Sequence, residues 1–281
     1  MGWGEIKVTR GEIKVTRTFT CGLVYHVLNR ANGRLRLFKK DDDYLAFLRV
    51  LLQARERVPI RILDWCLMPN HFHLVLWPKS DGELTRFMRW LTLTHAQRWK
   101  HAHAAVGQGH LYQGRFKSFP VQAEGAATTR GGRRSKDDPD RHLLAVCRYV
   151  ERNAVRAGLA RRAAAWRWGS AWARANPDAA REAGLGGLLH EPWPVDRPAN
   201  WERLLDEPQT DAEQEAVLHS IKRGRPLGDE RWVQRTAQRL GLGHTLRPPG
   251  RPKKEPEGDK TTAGKGRGAA RSARAEAAGS G

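Results

Sequence analysis

The stretch ILDWCLMPNHFHLVLW at positions 62–77 constrains this chain more than any other. It reads as two buried strands broken by a turn at Pro69-Asn70. The second strand opens with His71-Phe72-His73. Side chains in a strand repeat every two residues, so both imidazoles leave one face while Phe72 leaves the other toward a core. Two imidazoles one pleat apart can share a metal ion, provided a third ligand arrives from elsewhere. On its own a His-x-His is more often a strand edge with two partly exposed rings. His101-Ala102-His103 has the same spacing but sits in a helix-like run. There, positions i and i+2 diverge by about 200° and share no face, and that pair reads as solvated.

The flanking pattern supplies a fold. A first strand spans Leu23–Leu28 and ends at Asn29-Arg30 and the turn Asn32-Gly33. Asp41-Asp42-Asp43 suits a helix N-terminus by capping and by the helix dipole. The helix runs from Tyr44 to Arg57 with Tyr44, Phe47, Leu48, Leu51 and Leu52 on one face, and Pro59 stops it. After the two strands, Ser80-Asp81-Gly82-Glu83 starts a second helix carrying Leu84, Phe87, Met88, Leu91 and His95, to about His101. Residues Arg115–Val121 alternate toward a fourth strand. The order strand, helix, strand, strand, helix, strand is the ferredoxin-like βαββαβ pattern: α+β, one antiparallel sheet with helices on one face.

Beyond it, Gly125–Asp140 holds no large apolar side chain and reads as a mobile loop. A third helix is expected over Arg141–Ala157, closed by Gly158, with Leu143, Val146, Cys147, Val150 and Ala154 as its core face. Trp166, Trp168 and Trp172 read as a packing segment laid back on the domain. Composition shifts at Pro192, and further helices are expected at Asp211–Ile221 and Asp229–Leu240. From Pro248 onward there is no Ile, Leu, Val, Met, Cys or aromatic residue, so that tail is expected to be disordered. Four regions follow: 1–17, an extension containing the heptapeptide GEIKVTR twice; 18–175, the domain with the paired histidines; 176–246, helical; and 247–281, the basic tail. One heptapeptide duplication is too short for a repeat architecture.

The net charge of +20 points to a polyanionic partner. No apolar run is long enough to span a membrane, and the charged N-terminus lacks a secretion signal. Cys21, Cys66 and Cys147 are far apart in apolar settings and read as small buried hydrophobes rather than a disulfide framework. A reduced, cytoplasmic, nucleoid-associated protein is the expectation.

On the third helix, Tyr149 and Asn153 stand at i and i+4 and share a face. Arg152, Arg156 and His142 fall on the same side by spacing. A lone phenol among cations is odd on a solvated face, because its ring prefers a core. With its charge stabilised, a phenol can act as a covalent nucleophile. Asn153, one turn on, could supply an amide oxygen beside His71 and His73.

Three motifs occur in order: Trp65-x-x-Met68-Pro69-Asn70-His71-Phe72-His73, Gly114-Arg115-Phe116-Lys117-Ser118, and Tyr149-x-x-x-Asn153-x-x-x-x-Gly158. Together they resemble the single-tyrosine transposases of the HUH endonuclease superfamily. The nearest likeness is to the branch associated with repetitive extragenic palindromes, over roughly Leu23 to Trp172. The resemblance implies a ferredoxin-like fold with an added tyrosine-bearing helix, His71, His73 and Asn153 as metal ligands, and Tyr149 as nucleophile. Ala154 stands where that family usually has proline.

The implied reaction is metal-assisted cleavage and rejoining of single-stranded DNA next to a hairpin, through a 5′-phosphotyrosine. The ligand set alone suits zinc, manganese or iron; the resemblance favours Mg²⁺ or Mn²⁺. No nucleotide cofactor is implied, and either a monomer or a homodimer is compatible. Arg115 and Lys117 are expected to bind phosphates, with Arg152 and Arg156 adding charge. Pro249-Gly250-Arg251-Pro252-Lys253-Lys254 resembles a minor-groove hook and adds Arg251, Lys253 and Lys254 as candidates; Gly224-Arg225-Pro226 resembles it more weakly. Alternative readings are a transposase-derived DNA-binding regulator without cleavage, a rolling-circle initiator or relaxase, and a non-catalytic RNA-binding module of the same fold.

Overall fold

The structure, a computed structural model, describes residues 19–123 and 140–247. The duplicated heptapeptide, nearly all of the Gly125–Asp140 loop and the tail bearing Arg251, Lys253 and Lys254 lie outside the described residues.

The chain runs β1 (Val24–Arg30), α1 (Asp41–Arg57), β2 (Arg61–Met68), β3 (His71–Trp77), α2 (Glu83–Ala102), β4 (Lys117–Val121), α3 (Arg141–Glu151), α4 (Asn153–Arg156), α5 (Ser170–Ala175), α6 (Pro177–Glu182), α7 (Trp201–Asp206), α8 (Asp211–Arg223) and α9 (Glu230–Arg239). The sheet order is β2-β3-β1-β4, with every neighbouring pair antiparallel. Each βαβ unit therefore has a strand of the other inserted between its two strands, which is the ferredoxin-like arrangement expected.

Strand alternation splits the sheet into two apolar faces. Tyr25, Val27, Phe72, Leu74 and Leu76 join Phe47, Leu48, Leu51, Leu84, Phe87 and Leu91 of α1 and α2 in one cluster. Val24, Val75, Phe119 and Val121 join Leu143, Val146, Cys147 and Val150 of α3 in the other. Full burial of one such Leu or Phe contributes about 1.5–3 kcal/mol, and these clusters fix which way each strand faces. Asp43 secures the start of α1 by accepting hydrogen bonds from the amides of Lys39 (2.8 Å) and Lys40 (3.2 Å).

The tryptophan segment packs as expected. Trp168 stacks on Tyr44 with ring centroids 4.6 Å apart, and Trp166 Nε1 donates to the Leu67 carbonyl at 2.9 Å. The boundary drawn near residue 175 marks no break in packing. Leu185, Leu188, Trp232 and Val233 enter the first cluster, Trp201, Leu205 and Val217 enter the second, and the described residues fall in one compact unit ending at Arg247.

Several local expectations need correction. The third helix stops at Glu151 and resumes at Asn153, because Arg152 has left helical geometry (φ −85°, ψ 0°). Its side chain turns away from the sheet and donates to the Leu205 carbonyl. His103 is not solvated: α2 ends beside the start of α1, and His103 Nε2 lies 3.0 Å from Asp43 Oδ1. Cys21 is exposed on a turn rather than buried. Gly224-Arg225-Pro226 is a folded connector. Gly224 is the left-handed cap of α8 (φ 70°), and the Leu227 amide bonds to the Pro120 carbonyl at 2.9 Å.

Candidate active site

On the α3 face of the sheet, His71 and His73 lie at the Pro69-Asn70 end of β3. The hairpin turn keeps their strand in register with β1, where Leu28 pairs with His73 and Arg30 with His71. The next connection is stitched to the same strand end. Gln113 donates its amide to the Arg30 carbonyl at 3.0 Å, and Asn29 Nδ2 reaches the Gly114 carbonyl at 3.4 Å. That stitching delivers Arg115 and Lys117 to the histidines. α3 and α4 cross above and add Tyr149 and Asn153.

These six side chains line one cleft of about 450 Å³, shared with Leu28, Asn29, Arg30, Gln113, Gly114, Leu218 and Ile221. No carboxylate is among the described lining residues. The rings of His71 and His73 have centroids 5.0 Å apart, and the Tyr149 ring lies edge-on 6.0 Å from His73.

The donor nitrogens have a defined arrangement. His71 Nδ1 donates to Asn70 Oδ1 at 2.7 Å, which makes its Nε2 the lone-pair nitrogen. His73 Nδ1 lies 2.9 Å from His26 Nε2; in the tautomer where His73 Nδ1 donates, its Nε2 carries the lone pair. Burial, with the Arg30 cation second, lowers His71 to about 4. Burial and the neighbouring His71, His26, Arg156 and Arg30 push His73 well down. Both rings are therefore neutral at ordinary pH, the form that binds metal.

Asn153 Oδ1 accepts from Arg156 Nη2 at 2.8 Å, while its buried Nδ2 has no hydrogen-bond partner. Rotating this amide exchanges oxygen and nitrogen, and either pose leaves an amide atom beside the histidines. Two imidazole nitrogens and an amide oxygen are a donor set that suits a divalent ion; in the structure the Asn153 oxygen faces Arg156. Among the described residues no cluster of three or more His, Cys, Asp or Glu is placed to hold a metal ion.

Tyr149 is nearly buried, and the Arg156 guanidinium lies over its ring at 3.7 Å from the centroid. Burial raises the phenol above its ordinary value and the Arg156 cation opposes that rise. The site thus holds a phenol beside a fixed cation, neutral imidazoles and three further cations, Arg30, Arg115 and Lys117. Such a set can hold a phosphodiester and stabilise an oxyanion.

Not every candidate arrives. Arg152 is buried against Leu205 and does not line the cleft, although Arg156 lies against Tyr149. Sequence reading missed His26, Arg30, Leu218 and Ile221. Arg30 had a signal, since a cation ending the strand beside the histidines would share their end of the sheet.

The family described as transposase IS200 like matches residues 20–130. The chain is similar to that family across β1 to β4, and the resemblance read from the motifs holds there; Tyr149 and Asn153 lie beyond the matched residues. No curated protein matches the chain. Among solved structures, a REP-associated tyrosine transposase bound to a REP hairpin is similar at 19% identity and a TM-score of 0.41, covering 67% of this chain and 96% of that one. A putative transposase from Deinococcus radiodurans R1 is similar at 19% identity and a TM-score of 0.31, covering 41% and 86% respectively.

Proposed function

We propose that this protein is a divalent-metal-dependent single-strand DNA endonuclease and strand transferase, acting next to hairpins with Tyr149 as nucleophile. The convergence of Tyr149, Asn153, His71 and His73 with Arg115 and Lys117 on one cleft carries the reading. The match to the IS200-like transposase family supports it. The cationic lining, without a carboxylate among its described residues, suits a phosphodiester chain.

Arg30, Arg115 and Lys117 hold the backbone of the strand, and Arg156 holds the Tyr149 ring in place and favours its phenolate. The Tyr149 oxygen attacks phosphorus, the bond from phosphorus to the 3′ oxygen breaks, and that oxygen takes a proton from solvent and leaves as a 3′-hydroxyl. The product is a 5′-phosphotyrosine, and the phenolic proton goes to solvent. One phosphodiester replaces another, so a new 3′-hydroxyl reverses the step without ATP. His71, His73 and Asn153 would hold Mg²⁺ or Mn²⁺, which supplies Lewis-acid polarisation of the phosphate.

The test uses labelled single-stranded hairpins from the DNA flanking the gene, with Mg²⁺ or Mn²⁺. The wild type should form a covalent protein–DNA adduct and Tyr149→Phe none, while both bind the hairpin. Binding with no adduct in either metal would replace this reading with that of a DNA-binding regulator. An adduct surviving in Tyr149→Phe would move the nucleophile elsewhere.

A further inference from the structure

Part of the cleft lining comes from α8, a helix far along the chain from the family-matched residues. Thr210 and Glu213 close a reciprocal capping box at its start (3.2 and 3.1 Å), and Gly224 ends it in the left-handed region. Val217 and Ser220 are buried beneath it and fix its rotation. That rotation leaves Leu218 and Ile221, three residues apart on one face, lining the cleft with Tyr149 and Asn153.

Leu218 is 39% exposed, one of four large hydrophobic side chains at least that open among the described residues. Here the open residue belongs to the same cavity as the candidate nucleophile. Arg30, Arg115 and Lys117 bring positive charge to the lining, and Leu218 and Ile221 bring aliphatic surface. A nucleotide has the same two-sided character, with an anionic phosphate and a flat base whose faces are poorly hydrated. A cleft of about 450 Å³ lies within the roughly 300–1,000 Å³ of small-ligand sites.

We infer that Leu218 and Ile221 form a binding subsite for one nucleobase of the single strand beside the scissile phosphate. The inference rests on the single-strand DNA reading above. The base packs by its face against the two aliphatic side chains while its phosphate stays among the cations. Neither side chain offers a hydrogen bond, so this subsite reads the presence of a base rather than its identity. It also gives the C-terminal helices a task in the reaction, which is to orient the strand at Tyr149.

The experiment walks a single abasic nucleotide through the unpaired flank of a hairpin from the DNA next to the gene, and measures affinity by fluorescence anisotropy. With wild type, one or two adjacent abasic positions should weaken binding about 5- to 10-fold, as expected for losing one or two fully buried methylene-sized contacts. Leu218→Ala and Ile221→Ala should weaken binding of intact DNA by a similar factor and lose the abasic penalty at those positions. Leu218→Met should retain both. Thermal melting of each variant separates loss of the subsite from loss of the fold. An undiminished abasic penalty in the folded Leu218→Ala/Ile221→Ala double variant would overturn the inference, as would a wild type indifferent to abasic sites everywhere. Adduct formation on the same oligonucleotides is read separately. Its absence would sink the Tyr149 chemistry while the anisotropy still decides the subsite.

Discussion

His26 Nε2 stands 2.9 Å from His73 Nδ1, and His26 is fully buried. Burial, with Arg156 second, lowers it to about 3, so it is neutral. It therefore works as a hydrogen-bond partner that sets the tautomer and ring angle of His73. With His73 a ligand in the proposed metal site, a partner of this kind is worth about 10- to 100-fold in metal affinity. His26→Ala should weaken Mn²⁺ binding by that factor, measured by titration calorimetry or the Mn²⁺ paramagnetic resonance signal. His26→Gln, which keeps a hydrogen-bonding tip, should recover part of the loss. Unchanged Mn²⁺ affinity in a folded His26→Ala protein would remove His26 from the site.

Arg156 is the cation nearest the Tyr149 phenol, 3.7 Å above its ring. Burial raises this phenol above its ordinary range, and Arg156 is the group that pulls it back. Adduct formation should therefore climb with pH through the alkaline range. In Arg156→Gln the climb should move to higher pH, and the rate at pH 8 should fall about tenfold for each pKa unit added. Hairpin affinity is the control, since one lost phosphate contact weakens binding without moving a pH profile. A profile unmoved in Arg156→Gln would show that the guanidinium only packs.

The sheet, α1, α2 and the hairpin at Pro69 were legible because local signals set them: alternation, helical spacing, and acidic or proline ends. The histidine pair was legible because spacing within one strand fixes it; Tyr149 and Asn153 fall on α3 and α4, either side of the break at Arg152, and both line the cleft. What escaped depends on partners distant in sequence. His26 reaches His73 diagonally, since its own register partner is Val75 and that of Leu28 is His73. Only strand pairing, not any motif, brings the two rings together. Arg152 looked like a member of the cationic face, but a carbonyl 53 residues away turns it round and interrupts the helix. The composition change at Pro192 gave the helices of the C-terminal region without saying that α8 would face the cleft.

Behind α3 lies a buried ionic cluster with a pH signature. Arg174 binds Asp64 (2.8 Å) and Glu151, and Trp201 Nε1 donates to Glu151 Oε2 at 2.7 Å. Two buried carboxylates facing one guanidinium leave a surplus negative charge. Burial first, then Asp64, raises Glu151 far above the carboxylate range, to about 8. A carboxyl raised on folding binds its proton more tightly in the native state. Its stabilising effect is complete below the unfolded value and is lost as pH rises toward about 8. Denaturation midpoints should therefore fall between pH 5 and pH 8, and Glu151→Gln should flatten that slope. Arg174→Met, which strands the carboxylates, should cost about 3–5 kcal/mol. A slope unchanged in Glu151→Gln would place its origin elsewhere.

The position of α8 over the cleft depends on a latch at the far end of β4. Gln122 accepts from the Asp229 amide and donates to the Asp229 carboxylate, both at 2.7 Å, while its own amide bonds to the Leu227 carbonyl at 2.8 Å. Gly228 sits inside this latch. A Cβ there would stand 2.5 Å from Trp232 Cε3 and 2.7 Å from Gln122 Oε1. Overpacking of this kind costs about 1–3 kcal/mol, so Gly228→Ala should lower the melting temperature. The connector from Gly224 to Leu227 ties the end of α8 to β4, so loosening it should also free the helix that carries Leu218 and Ile221. Hairpin affinity should then fall in Gly228→Ala at temperatures where the protein remains folded. Phe47→Leu, a destabilising change in the opposite cluster, should lower the melting temperature and leave affinity unchanged. Equal affinities for the two variants would mean that the latch stabilises the fold without positioning α8.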